Sequence, residues 1–215
     1  MKITLTNAGK RFNRDWIFRH FNYEFVSGRS YALTGPNGSG KSTLLQVLAG
    51  SLSASEGTVG YSLPSTQNGL VDPENIFRYF SLAAPYLQVV EEMNLLEFLR
   101  FHSKFKPFLP GINAKEIISL TGLSGSAGKQ IRYFSSGMKQ RVKLAQSILS
   151  DTPVVLLDEP CGNLDSEGIT LYQQLIDQYG RSRLMVVASN DQQEYDFCEA
   201  KIDLMEYKGL IAGLQ

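Results

Sequence analysis

Gly35-Pro36-Asn37-Gly38-Ser39-Gly40-Lys41-Ser42-Thr43 fits the pattern G-x-x-x-x-G-K-[ST], and its flanks give the pattern its meaning. Before it, Tyr31-Ala32-Leu33-Thr34 is short and apolar, as a buried strand should be. After it, Leu44-Leu45-Gln46-Val47-Leu48-Ala49 is a helix-forming run stopped by Gly50. Glycines in such a strand–loop–helix let the backbone curl until several N–H groups converge on one anionic group. The helix N-terminus adds its partial positive charge at the same point. Lys41 is expected to bridge the β- and γ-phosphates of a nucleotide, and the Ser42 hydroxyl to hold Mg²⁺. The bare pattern arises by chance in about one chain in a hundred. The strand and helix around it make nucleotide binding the expectation.

A second motif, Val154-Val155-Leu156-Leu157-Asp158-Glu159, sets four apolar residues before two carboxylates. The acids would emerge at the C-terminal end of a buried strand, where open α/β sheets bind ligands. One acid can hold the Mg²⁺ of a bound nucleotide, and the next can polarise an attacking water. A strand followed by a polar turn at Pro160 has the same letters; the upstream phosphate loop tips the reading toward chemistry. A third segment, Phe134-Ser135-Ser136-Gly137-Met138-Lys139-Gln140-Arg141, opens a helix. Serines and glycine there leave N–H groups free and add hydroxyl donors. Capping is the plain reading of Ser135 or Ser136, and a further phosphate site is the functional one.

The rest of the chain suits one α/β domain with a substantial core: 215 residues, 43% hydrophobic, without repeats or low-complexity linkers. Lys+Arg and Asp+Glu both total 21, which argues against a general grip on nucleic acid. Cys161 and Cys198 are too few for a disulfide framework and read as thiols of a reducing compartment. Met1–Thr6 alternates like a strand and is no signal peptide, and no apolar run approaches the roughly 20 residues of a membrane span. A cytoplasmic chain is expected, with any membrane role coming through a partner. Ile3/Leu5 and Phe21/Tyr23/Phe25 predict antiparallel strands, and further strands are expected near Thr58–Leu63 and Ile76–Ala84. Helices are expected from about Glu92 to Leu123, broken at Lys106–Gly111. A long helix past Ser135 follows, with Met138, Val142, Ala145 and Leu149 on one stripe. Strands at Val154–Leu157 and Leu184–Ala188 around a helix near Glu167–Tyr179 predict a mainly parallel, helix-covered sheet.

The order of the three motifs resembles the ATP-binding cassette family of P-loop NTPases, in which the third segment is the signature Leu-Ser-Gly-Gly-Gln. Here it reads Phe-Ser-Ser-Gly-Met, a partial match, while Lys139-Gln140-Arg141 and Asp158-Glu159-Pro160…Leu164-Asp165 agree with the family. The resemblance implies a P-loop core of mainly parallel sheet with N-terminal antiparallel strands, approximately residues 1–85 and 151–215. A helical subdomain with the signature helix would occupy approximately 86–150. It also implies two cassettes closing head to tail, a homodimer being the simplest case. Each ATP would lie between one copy's Gly35–Thr43 and the other's Ser135, Ser136 and Gly137. Asp158 would hold Mg²⁺, Glu159 would be the general base, and Asn163 and Asp165 would line the interface. Phe12 stands where the family stacks an aromatic on adenine, with Trp16 a rival.

Two positions depart from the family. Its γ-phosphate histidine is replaced by Asn190, after Ser189; an amide can donate a hydrogen bond but cannot carry charge or relay a proton, so the expectation is either slow hydrolysis or support of the site by another residue. Neither His20 nor His102 is placed to substitute. The glutamine that meets Mg²⁺ and couples to the membrane partner falls at Ala84 by one count and near Tyr86 by another. Gln88 could replace it only if the loop is displaced. The resemblance implies an ATPase subunit of a bacterial membrane transporter, docked on a separate permease chain. Tyr86, Leu87, Val89 and Val90 would meet the permease, although core packing accounts for them equally. A soluble cassette acting on nucleic acid, or a nucleotide-gated subunit with weak hydrolysis, are the alternatives.

Overall fold

The computed structural model describes residues 1–63 and 69–208. Strands β1 (Lys2–Phe12), β2 (Asp15–Val26) and β4 (Glu56–Ser62) form an antiparallel sheet in the order β2-β1-β4. Alternation along them buries Ile3, Leu5, Phe21 and Phe25 on one face, and leaves Lys2 and Glu24 outside in an ion pair. Gly57 is required between β1 and β4. Its φ is +69°, and a Cβ there would lie 2.1 Å from the Asn7 carbonyl oxygen.

The second sheet is parallel: β5 (Phe80–Ala83), β6 (Val154–Asp158), β7 (Leu184–Ala188), β3 (Ser30–Thr34) and β8 (Ala200–Asp203), in the order β5-β6-β7-β3-β8. β3, β6 and β7 are buried along their whole length because apolar layers cover both faces. Val154, Leu156, Leu184 and Val186 join the antiparallel sheet and helix α1 (Lys41–Leu48) in one core. Their neighbours Val155, Leu157, Met185 and Val187 join a second core with helices α2 (Leu95–His102), α3 (Ala114–Leu120), α4 (Ser136–Ile148) and α5 (Ser166–Tyr179). Each turn of register along a strand therefore feeds a different core.

The helical segment is tied to the sheet by backbone as well as by apolar contact. Leu109 N donates to Leu149 O, Asp151 N to Pro107 O, and the Lys106 ammonium to Phe80 O. Complete capping boxes, Asn94 with Glu97 and Asn113 with Glu116, start α2 and α3. Two sequence expectations change. Residues expected in a strand from Ile76 are in a 3₁₀ helix, Pro73–Tyr79, whose start is capped by the Asp72 carboxylate on Glu74 N; the strand is confined to Phe80–Ala83. β8 was not anticipated, because its only buried apolar side chain is Ile202.

His102 joins α2 to the end of α4. Its Nε2 lies 2.9 Å from Ser150 Oγ, and its ring stacks on Phe108. Burial, with Lys106 nearby, lowers its pKa from 6.5 to about 4. Between those values the unfolded chain binds a proton that the folded chain does not, so acid removes stability across that window. Urea unfolding should therefore lose less stability between pH 7 and pH 4.5 in His102→Gln than in the unsubstituted chain.

Candidate nucleotide site

The loop after β3 turns through three glycines with left-handed φ: Gly35 (+133°), Gly38 (+78°) and Gly40 (+105°). Gly40 caps α1, and a Cβ on it would lie 2.3 Å from Ile17 Cγ2. A cavity of about 350 Å³ opens here, lined by Ile17, Asn37, Gly38, Gly40, Lys41, Ser42, Thr43 and Glu159. Lys41 is buried, and its ammonium donates to Gly35 O at 2.7 Å and Pro36 O at 3.3 Å. Burial lowers its pKa, while the charges of Glu159 and Asp158 oppose that shift.

Asp158 ends β6 only 2% exposed and accepts the Ser42 hydroxyl. Burial raises its pKa, and the Ser42 bond opposes this. A hydroxyl and a carboxylate in contact form an all-oxygen donor pair of the kind Mg²⁺ prefers. The buried Ser39 hydroxyl, without a hydrogen-bond partner among the described residues, leaves a further donor in the same loop. Glu159 is exposed at the end of β6 with φ +45°, a conformation uncommon for a side-chain-bearing residue; its N–H donates to Ala188 O. Asn190, after β7, donates its amide to Asn37 Oδ1 at 2.9 Å. Residues after β3 and β6 thus line one cavity, and Asn190 after β7 bonds one of them.

The signature segment lies elsewhere in the same chain. Ser135 caps α4, accepting Met138 N. Ser136 shares a separate shallow pocket with Gln88, Lys139 and Asn163. A Cβ on Gly137 would lie 2.9 Å from Asn163 O, so this glycine admits the loop after β6. Asp165 caps α5 through Gly168 N and pairs with Arg141 at 2.7 Å.

The structure does not bring Gln88 to Ser42 and Asp158. It is exposed, whereas Tyr86 bonds the Gln46 side chain and feels the Asp158 charge; Ala84 is buried and its carbonyl accepts Lys143 Nζ. Val89 is buried in the helical core, while Tyr86, Leu87 and Val90 remain exposed. Phe12 is half exposed at the end of β1 beneath the Lys10 ammonium, and Trp16 lies against the Arg11 and Arg19 guanidiniums. Neither lines the cavity; Ile17 does, and only its place beside the hairpin could have pointed to it.

These features define a P-loop nucleotide-binding domain. The family model for ABC transporters matches residues 18–162, so the chain belongs to the ABC transporter family, as its nucleotide-binding domain. It is 26% identical over 204 residues to the uncharacterized ABC transporter ATP-binding protein YybJ of Bacillus subtilis, covering 94% of this chain and 92% of that one. It is 35% identical over 160 residues to the cytochrome c biogenesis ATP-binding export protein CcmA of Xylella fastidiosa, covering 74% and 70%. A dimeric structure of the bacterial ABC transporter cassette MJ0796 superposes with a TM-score of 0.78 at 24% identity, covering 94% of each chain. No helix among the described residues is long and apolar enough to cross a membrane.

Gly40→Ala is expected to force Ile17 aside and strain a left-handed backbone. The rise in melting temperature on adding ATP with Mg²⁺ should fall by at least half in this variant, measured by differential scanning fluorimetry against the unsubstituted chain.

Proposed function

We propose that this chain is the ATP-hydrolysing subunit of a membrane transporter, with two copies closing head to tail around ATP and driving a separate permease. The observation that carries this reading is one cavity lined by Lys41, Ser42 and Glu159, with Asp158 beside Ser42 and Asn190 bonded to cavity-lining Asn37, while Ser135–Gly137 of the same chain sit outside it. A second copy's signature segment is the natural completion of that half-site. The neutral net charge supports a protein partner over nucleic acid. Exposed Tyr86, Leu87 and Val90 beside the helical segment suit an apolar contact with a permease, which would hold the chain at the inner face of the membrane.

In this reading the loop N–H groups and Lys41 bind the β- and γ-phosphates, and Ser42 and Asp158 would hold Mg²⁺. When bound, the metal neutralises phosphate charge. Glu159 takes the proton of the water that attacks the γ-phosphorus, and ADP leaves as the bridging P–O bond breaks. Asn190 donates one amide N–H to the γ-phosphate without adding charge. Asp165 holds its loop against α4 through Arg141. Phe12 is assigned to the adenine because its partner across the hairpin, Asp15, lies two residues from cavity-lining Ile17.

Phosphate release tests the assignment. Glu159→Gln should cut kcat by at least about a hundredfold while a fluorescent ATP analogue binds within about threefold of normal. Normal turnover in that variant would remove Glu159 from the mechanism. Lys41→Ala should instead abolish analogue binding, through loss of a charge-assisted contact. Asn190→His should raise turnover by about tenfold, which is about 1.4 kcal/mol of barrier, and Asn190→Ala should lower it. Equal rates in all three forms would exclude Asn190 from the site.

A further inference from the structure

Glu194 is a buried carboxylate, 4% exposed, that makes no ion pair among the described residues. It lies in the 3₁₀ turn Gln192–Glu194 that follows Asn190 and is capped by Asp191. Its Oε1 accepts the backbone N–H of Cys161 at 2.6 Å, while Ser189 Oγ, whose hydroxyl lowers the Glu194 pKa, accepts Asp191 N at 2.8 Å within the same turn. The turn itself is anchored to α5, where the buried Tyr172 hydroxyl donates to Glu194 O at 2.6 Å. One side chain therefore joins the turn that follows Asn190 to the loop that follows Glu159.

The other side of that loop is held by α4. The buried Gln140 amide donates to Pro160 O at 2.7 Å, and Arg141 pairs with Asp165. Residues 160–165 are thus gripped between the Ser189–Glu194 turn and the helix that the signature segment opens. Burying a carboxylate costs several kcal/mol unless its bonds repay the loss, so an apolar residue would be the cheaper filler. Burial does raise the pKa of Glu194, with the Ser189 and Cys161 bonds opposing it.

We propose that Glu194 is a positioning residue that pins the 160–165 loop to the Ser189–Asp191 turn, and so fixes Glu159 relative to Asn190 and the phosphate loop. The proposal rests on the roles of Glu159 and Asn190 given above, but its geometry can be read without turnover. Cys161 is half-buried in the pinned loop, and its thiol is pushed up to about 12 by burial and by Glu194; Cys198 lies outside the loop and reports general unfolding.

The test uses the full chain with Glu194→Ala and Glu194→Gln, reading kcat, affinity for a fluorescent ATP analogue, and iodoacetamide alkylation of each cysteine by peptide mass spectrometry. In Glu194→Ala, Cys161 alkylation should rise about tenfold relative to Cys198, as the thiol gains exposure. In the same variant kcat should fall about tenfold, with analogue affinity within about threefold. Glu194→Gln loses the same charge but keeps an amide oxygen to accept Cys161 N–H, so it should bring kcat back toward normal and leave Cys161 alkylation well below that of Glu194→Ala. If Glu194→Ala does not fold, Glu194→Asp, whose shorter side chain withdraws from Cys161 N–H while keeping the charge, should raise Cys161 alkylation and lower kcat in the same way, and unchanged values of both would overturn the proposal. Unchanged Cys161 alkylation would overturn the pinning, and raised alkylation with normal kcat would overturn its role in positioning. Failure of Glu194→Gln to rescue would do the same. Normal turnover in Glu159→Gln would instead refute the hydrolytic reading while the alkylation result stands by itself.

Discussion

The contact between the Ser42 hydroxyl and the buried Asp158 carboxylate is the point on which the molecule turns. It joins the first residues of α1 to the end of β6, two strands away from β3 in the sheet. β7 lies between them and delivers Asn190. A parallel sheet sends its strand ends to one edge, so loops distant in sequence reach one cavity. The same interaction explains the fully apolar strands: an acid can be held this deep only on a rigid, doubly covered scaffold with polar partners waiting at its tip.

Around that contact the fold places a second, drier layer of polar bonds. Gln140 and Glu194 are both buried, and both bind the backbone of the loop after Glu159. Arg141 with Asp165 closes its far end. None of these groups lines the cavity, yet together they link the phosphate-facing turn after β7 to the helix that presents Ser135–Gly137. A movement at either end would have to break the bonds of buried Gln140 and Glu194, which stand away from water.

Much of this was legible in the sequence because the decisive signals are local. The phosphate loop carries its strand and helix with it, and four apolar residues before Asp158-Glu159 already imply a strand tip. β8 was illegible because an edge strand with one buried side chain has no periodicity to read. Ile76–Tyr79 has strand-like letters, but the Asp72 cap turns it into a helix. Gln88 has the expected chemistry but lines the pocket of Ser136, Lys139 and Asn163 and not the cavity of Lys41 and Glu159, a placement that only the tertiary fold decides. Glu194 reads in the sequence as an ordinary surface acid, since only the tertiary fold places Cys161 N–H and Ser189 against it.

The central claim is that one chain holds half of a site that a second copy completes. Light scattering on the Glu159→Gln chain, with and without Ser136→Arg, tests it most directly. ATP with Mg²⁺ should double the molar mass of Glu159→Gln, and the added Ser136→Arg should keep it at the monomer value because the arginine would block the partner's γ-phosphate. A mass that stays monomeric with saturating ATP, or a dimer indifferent to Ser136→Arg, would contradict the account.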